Sequence, residues 1–338
     1  MRVDILLISV SLCVISTVTG FAQAIEVEPH RLIYRVSTVQ PSGDAADQAR
    51  RAVRGSRAVK LRAFVVGREN VAPVRVAIEA EFKRRPMPLL NIVVVGALPG
   101  ANLKVSIESV SESEKIVNPH GIAYVSGQPA TSDDPAIAPL IEKSLAALDI
   151  AHRSIGVGKS DVLIATCFVS NLVGYENSRR LVGNAFPRAA INFVQLQREY
   201  ERGFVECETV VRQTTRPGGA LILSNPAGLP SSPNYSHIAS IGAKKVVLTE
   251  VKSAAGEVDA REAFRQMDEL LKSHRTSLSN TAMSHIYPVS QAGSDLVRGI
   301  RFDYYDRSRP PGSTLVIFEG LPAPAASFAF EVVAVIPD

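Results

Sequence analysis

Apolar residues along the chain fall into two periods, and the two alternate. Val59–Val66 and Val162–Val169 read as strands, as do the shorter runs Ile122–Ser126 and Val246–Leu248. Between them the apolar positions spread to helical spacing. A short helix is predicted from Asp44 to Val53, and Val74, Ile78 and Phe82 share the face of a second. Ile137, Ile141, Leu145 and Leu148 mark a third helix, with Ser132 and Asp133 as candidate caps. Ala263, Met267 and Leu271 mark a fourth, and Leu296, Ile300 and Tyr304 another.

Three times this order closes on a hairpin. Pro86–Val95 leads through Leu98-Pro99-Gly100 to Leu103–Glu108, and Phe186–Val194 leads through a longer turn to Gly203–Glu208. Pro310–Phe318 leads through Leu321-Pro322 to Ser327–Glu331. Gly and Pro at the turns with β-branched arms predict antiparallel hairpins. A unit of about 100 residues can hold its own core. The reading is therefore three tandem α+β units, each a sheet with helices on one face, whose other faces cover one another. The boundaries are 25–112, 113–212 and 234–338, with 213–233, rich in Pro, Gly and Ser, as a linker.

Composition agrees with packed cores: 46% of the 338 residues are hydrophobic and 21% charged. The net charge of +4 is dispersed, so no nucleic-acid footprint is expected. Residues 1–24 combine Arg2, an apolar run from Ile5 to Val18 and Ala22-Gln23-Ala24. They read as a secretory signal peptide cleaved after Ala24, with a periplasmic destination and no membrane attachment afterwards. Cys13 would leave with the leader. Cys167 and Cys207 remain, and buried free thiols are the expectation for them.

The second unit resembles the RidA/YjgF family of enamine and imine deaminases. The resemblance rests on Tyr124-Val125-Ser126-Gly127-Gln128-Pro129, Pro187-Arg188-Ala189-Ala190 and Val205-Glu206-Cys207-Glu208, and on the element order; the outer units resemble it more faintly. It implies chorismate-mutase-like α+β units and, since that family forms homotrimers with clefts between neighbours, a monomeric single-chain pseudo-trimer. It also implies a hydrolytic deaminase without a cofactor, acting on an imine or enamine of a small carboxylate-bearing metabolite. Arg188 falls where the family binds the substrate carboxylate, and Glu206 where it handles water. Ser126 and Gly127 would line the cleft, joined by Tyr235 of Pro233-Asn234-Tyr235 from another unit. On that alignment Leu90 and Ser106 replace the Arg188/Glu206 pair in the first unit, and Ser313 and Ala329 in the third, leaving one equipped cleft. The second helix of the middle unit, between Tyr175 and Pro187, is expected to shrink to a turn or two.

Two rivals stand beside this reading. One is a binding protein of the same fold that holds a carboxylated metabolite through Arg188. The other is kinship with chorismatases, whose catalytic glutamate lies in the final hairpin, where this chain has Ala329-Phe330-Glu331. The six histidines show no metal-ligand spacing, so no metal is expected. Gly158-Lys159-Ser160 lacks the upstream glycine of a phosphate loop and is followed by a strand.

Overall fold

The computed structural model describes residues 23–37 and 40–337. The expected leader lies outside the described residues except for its last two positions. The first part of the chain runs β1 (Ala24–Val27), β2 (Leu32–Val36), α1 (Ala45–Val53), β3 (Ala58–Val66), α2 (Val71–Phe82), β4 (Leu89–Val95) and β5 (Val105–Glu112). The middle comprises β6 (Ile122–Ser132), α3 (Ala138–Ser154), β7 (Val162–Val169), α4 (Tyr175–Ala185), β8 (Ala190–Gln195), β9 (Gly203–Arg212) and β10 (Leu221–Ser224). The last part has β11 (Ile238–Ile241), β12 (Val246–Thr249), β13 (Lys252–Ala254), α5 (Glu257–Ser273), β14 (Thr281–Pro288), α6 (Gln291–Ile300), β15 (Gly312–Leu315) and β16 (Phe328–Val335).

These strands form three sheets, in the orders β2-β5-β3-β4, β10-β11-β6-β9-β7-β8 and β1-β12-β16-β14-β15, with β13 beside β16 in the last. Each contains the same three-strand core: a parallel pair (β3 with β4, β7 with β8, β14 with β15) and an antiparallel partner (β5, β9, β16). The three expected hairpins are therefore not formed: β4 and β5, β8 and β9, and β15 and β16 follow one another in sequence but flank a third strand instead of pairing. Two strands cross the sequence boundaries. β1 pairs with β12, and β11 pairs with β6, so the leading strand of one region completes the sheet of another. The segment 213–233 is correspondingly more than a connector, because β10 pairs along β11 at the sheet edge.

One face of each sheet takes two helices. Asp44 caps α1 by accepting from the Asp47 amide at 2.8 Å, and Ala45, Ala49 and Val53 pack down with Val74, Ile78 and Phe82 onto Leu61, Ala63 and Val65. In the middle sheet α3 sends Leu140, Ile141 and Leu148 inward. Its partner α4 spans 11 residues, longer than the turn or two expected. Its burial is sparse, with only Ser178 and Val182 fully buried, which is why its period was hard to read. Cys167 and Cys207 are directly opposed on β7 and β9 and form a disulfide, not the expected free thiols. Two buried cysteines at one cross-strand position are close enough to bond, and sequence spacing alone does not reveal that register.

The opposite faces of the sheets meet each other. Side chains alternate along a strand, so Phe64, Phe168 and Tyr287 leave the helix layers and join Val93, Val194 and Phe318 in a shared apolar cluster. A second shared cluster gathers Leu32, Tyr124, Ile164, Leu248 and Met283. Between the two lies a charged layer. Glu108, Glu208 and Glu331 occupy matching register positions, opposite Arg62, Thr166 and His285. Arg62 donates to Glu108 and to Glu208, each at 2.7 Å, and Lys60 pairs with Glu331. Asn192 and Thr166 donate to Glu108 at 2.8 and 2.6 Å, while Asn91 and Tyr287 serve Glu331.

Two stability measurements test this layout. Arg62→Met removes the cation shared by two buried carboxylates and is expected to cost about 3–5 kcal/mol in urea unfolding. Reduction of the Cys167–Cys207 bond is expected to cost about 2–4 kcal/mol. A Cys207→Ser variant equally stable with and without reductant should match the reduced wild type.

Candidate active site

The best-equipped cleft is built where β6 departs from regular pairing. The register between β6 and β9 shifts between Val125 and Gln128, leaving Ser126 and Gly127 in a bulge. Ser126 is buried and fully engaged: its amide donates to the His237 carbonyl at 2.9 Å, and its hydroxyl donates to the Ser236 carbonyl at 2.6 Å and accepts from the Ser313 amide at 2.9 Å. These bonds tie the entry to β11 and the start of β15 onto the bulge. Gly127 donates its amide to Thr314 Oγ1 at 3.1 Å. A methyl group at Gly127 would sit 1.8 Å from a Glu206 carboxyl oxygen, so the glycine makes room for that carboxyl.

Around Glu206 and Gly127 opens a cleft of about 250 Å³, whose other walls are Tyr235, Arg298, Arg301 and Ser313. Tyr235 comes from the segment before β11, the arginines from the end of α6, and Ser313 from β15. Ser290 caps α6 by accepting from the Gly293 amide at 3.1 Å, and Ser294 and Val297 face inward. Arg301 lies one turn beyond Val297 on that same face, which carries a guanidinium into the interior.

Glu206 is 7% exposed. Burial raises its pKa to about 8 and the neighbouring Glu208 carboxylate adds to the rise, while Arg298 opposes it. Glu208 differs. Burial pushes it upward too, but His285 and Arg62 beside it hold it well below the usual carboxylate range. The two acids are alternate residues on one strand face, one protonated at neutral pH and the other ionised. Burial lowers Arg301 to about 10, still charged at neutral pH. One of its guanidinium nitrogens donates to the Asn234 carbonyl at 2.8 Å, while its Nε has no partner, and the Ser313 hydroxyl is likewise buried and unpartnered. Unmet donors of this kind are costly unless something arrives to accept from them.

The structure thus brings Glu206, Gly127 and Tyr235 to one cleft, with Ser126 immediately behind it. It does not bring Arg188. That residue is exposed in the turn before β8 and does not line the cleft. Val194, not Arg188, is level with Glu206 across β7, since both pair with Phe168. Arg188 precedes Val194 by six residues, so at ~3.3 Å per residue it lies about 20 Å away along the sheet. Nor are Leu90 and Ser313 its counterparts. They pair with Leu61 and Ser284 as Ile191 pairs with Ala165. Ser106 and Ala329 do occupy the place of Glu206, opposite Phe64 and Tyr287. Ser106 is bonded to Asn192 at 2.9 Å and Ala329 is buried among aromatic rings. Glu331, which lies on β16, faces the charged layer rather than this cleft.

Sequence reading missed Arg301 and Arg298. The available signal was an arginine one turn past Val297, on the face of α6 that otherwise holds small and apolar residues.

Solved structures with a related fold include a YjgF-family protein from Neisseria meningitidis (13% identity, TM-score 0.26), covering 35% of this chain and 96% of that one. A second, from Mycobacterium tuberculosis, belongs to the YjgF/YER057c/UK114 family (20% identity, TM-score 0.25; 34% and 99% covered). A third is a Rid-family protein from Yersinia pestis (15% identity, TM-score 0.30; 34% and 98% covered). The chain is similar to the YjgF/RidA proteins. Each alignment takes in about a third of this chain and nearly all of the matched one. No family model and no curated protein matches it.

The raised pKa of Glu206 has a signed consequence for stability. A carboxyl that stays protonated when folded, yet ionises at about 4.5 when unfolded, favours the native state fully only below that lower value. The advantage drains away as pH rises to about 8. Wild-type unfolding free energy should therefore fall across pH 5–8 by more than that of Glu206→Gln. Parallel curves for the two proteins would show that Glu206 ionises normally.

Proposed function

We propose that the chain is three RidA-like units fused into an exported, monomeric pseudo-trimer that hydrolyses an imine or enamine of a small carboxylate at the Glu206 cleft. The products would be a 2-oxo acid and ammonia. One observation carries the reading: a buried carboxyl, which that burial favours in its protonated form, shares a cleft with two guanidiniums, one of them buried with an unmet donor.

Arg301 and Arg298 supply planar forks suited to the substrate carboxylate, the part first expected of Arg188. Protonated Glu206 gives its proton to the enamine carbon, forming an iminium. The resulting carboxylate takes a proton from water as the water oxygen bonds to the iminium carbon. Collapse of the carbinolamine moves its hydroxyl proton to nitrogen, breaks the C–N bond and releases ammonia, leaving Glu206 protonated again. Tyr235 closes the wall opposite. The disulfide suits an oxidising compartment, in keeping with the proposed export and periplasmic location. Ser106 and Ala329 at the equivalent positions support a single working cleft.

A binding protein that holds a carboxylated metabolite is the second reading. It is favoured by the fact that, among the described residues, no side-chain hydrogen bond orients the Glu206 carboxyl.

Ammonia release from imino acids generated by an amino-acid oxidase tests the reading. Glu206→Gln is expected to slow the catalysed rate by about 100-fold or more, the usual scale for a lost proton donor. Wild-type kcat should decline as pH rises through about 8, where Glu206 gives up its proton. Unchanged release in the Gln variant would overturn the mechanism, and thermal stabilisation by 2-oxo acids without any release would favour the binding protein.

A further inference from the structure

The Glu206 cleft does not end at Arg298. It continues outward into a second lobe of about 520 Å³, and Asn234 and Arg298 line both parts. The outer lobe adds Asn225, Phe302, Arg307 and Ser308, and no acidic side chain lines it. The two nearby acids do not line it. Asp295 lies 3.9 Å from Arg298 on the exposed side of α6, and Asp306 accepts from the Ser308 amide and hydroxyl at 2.9 and 2.7 Å. Phe302 links the lobes physically. The Arg301 guanidinium carbon lies 4.9 Å from its ring centroid and that of Arg307 lies 5.4 Å from it, so a single ring holds an inner and an outer cation.

A small monocarboxylate would use only the inner lobe. With Glu206 protonated, no ionised acid lines the continuous cleft beside Arg298, Arg301 and Arg307, and Asn225 in the outer lobe adds a side-chain amide suited to a second anion. We propose that the substrate is an imine or enamine of a dicarboxylic 2-oxo acid, its distal carboxylate held in the outer lobe by Arg307 and Arg298. This deepens the proposed function and rests on it, because the inner lobe must first take the carboxylate beside the reacting carbon.

Titration calorimetry with oxaloacetate and 2-oxoglutarate against pyruvate and 2-oxobutanoate tests the assignment. Wild-type protein should bind the dicarboxylates at least tenfold more tightly. Arg307→Ala, at an exposed position where folding is not at stake, should shrink that ratio at least fivefold, and the lost preference should also appear in wild type as salt is raised. Equal binding of the two classes by wild type, or an unaltered ratio in the variant, overturns the dicarboxylate assignment and leaves the carboxylate-binding cleft standing. Failure of all four acids to bind, together with no ammonia release, removes the underlying reading and this inference with it.

Discussion

Arg62 donates to one glutamate of its own sheet and one of the next, deep between two apolar clusters, and much of the molecule follows from that contact. Desolvating three carboxylates is expensive, and the layer is tolerable only when each meets a cation or several donors. Lys60 and Arg62 supply the positive charges, His285 lies 3.2 Å from Glu208, and Asn91, Asn192, Thr166 and Tyr287 donate to Glu108 and Glu331. Such a layer also fixes register. A slip of one residue in β5, β9 or β16 would turn its glutamate toward the helices and leave the cations opposite unpaired. The cost of charge burial is thereby converted into a single arrangement of the three sheets.

The same layer sets the chemistry of the cleft. Glu206 and Glu208 face the same way on β9, and only one is paired. Because Arg62 and His285 keep Glu208 ionised, Glu206 feels a fixed negative charge in addition to its own burial and retains its proton. Two carboxyls two residues apart are driven to opposite protonation states by their surroundings, the pattern by which active sites divide acid and base work. The glycine in the bulge makes this possible, since a side chain at Gly127 would lie where the Glu206 carboxyl now lies.

The element order was legible because its signals are local. The strand β7 and the helix α1 follow from local period, and Glu206 was picked out by the resemblance of Val205-Glu206-Cys207-Glu208 to the family. Arg188 was misread because strand direction is a tertiary property. Proximity of Pro187-Arg188 to β8 in sequence does not say which end of β9 lies beside it, and the parallel pairing of β8 with β7 puts Arg188 at the far end. The cations that do reach the cleft stand more than ninety residues from Glu206, on a helix of another sheet. The disulfide was hidden for a related reason, since only the pairing of β7 with β9 opposes Cys167 to Cys207.

Retention of the Glu206 proton bears on binding as much as on reactivity. An ionised carboxylate in this cleft would compete with an incoming one for Arg298 and Arg301, and the site would neutralise itself. A protonated acid puts no counter-charge inside the cleft, where Arg301 has the Asn234 carbonyl and Arg298 the exposed Asp295 at 3.9 Å, so the cleft stays cationic and draws in an anion. Burial is the main energetic origin of that readiness, and Glu208, a residue that does not line the cleft, adds to it. A variant lacking that charge would lower the Glu206 pKa only part of the way, and anion binding would weaken to the extent that Glu206 then ionised and competed for the arginines.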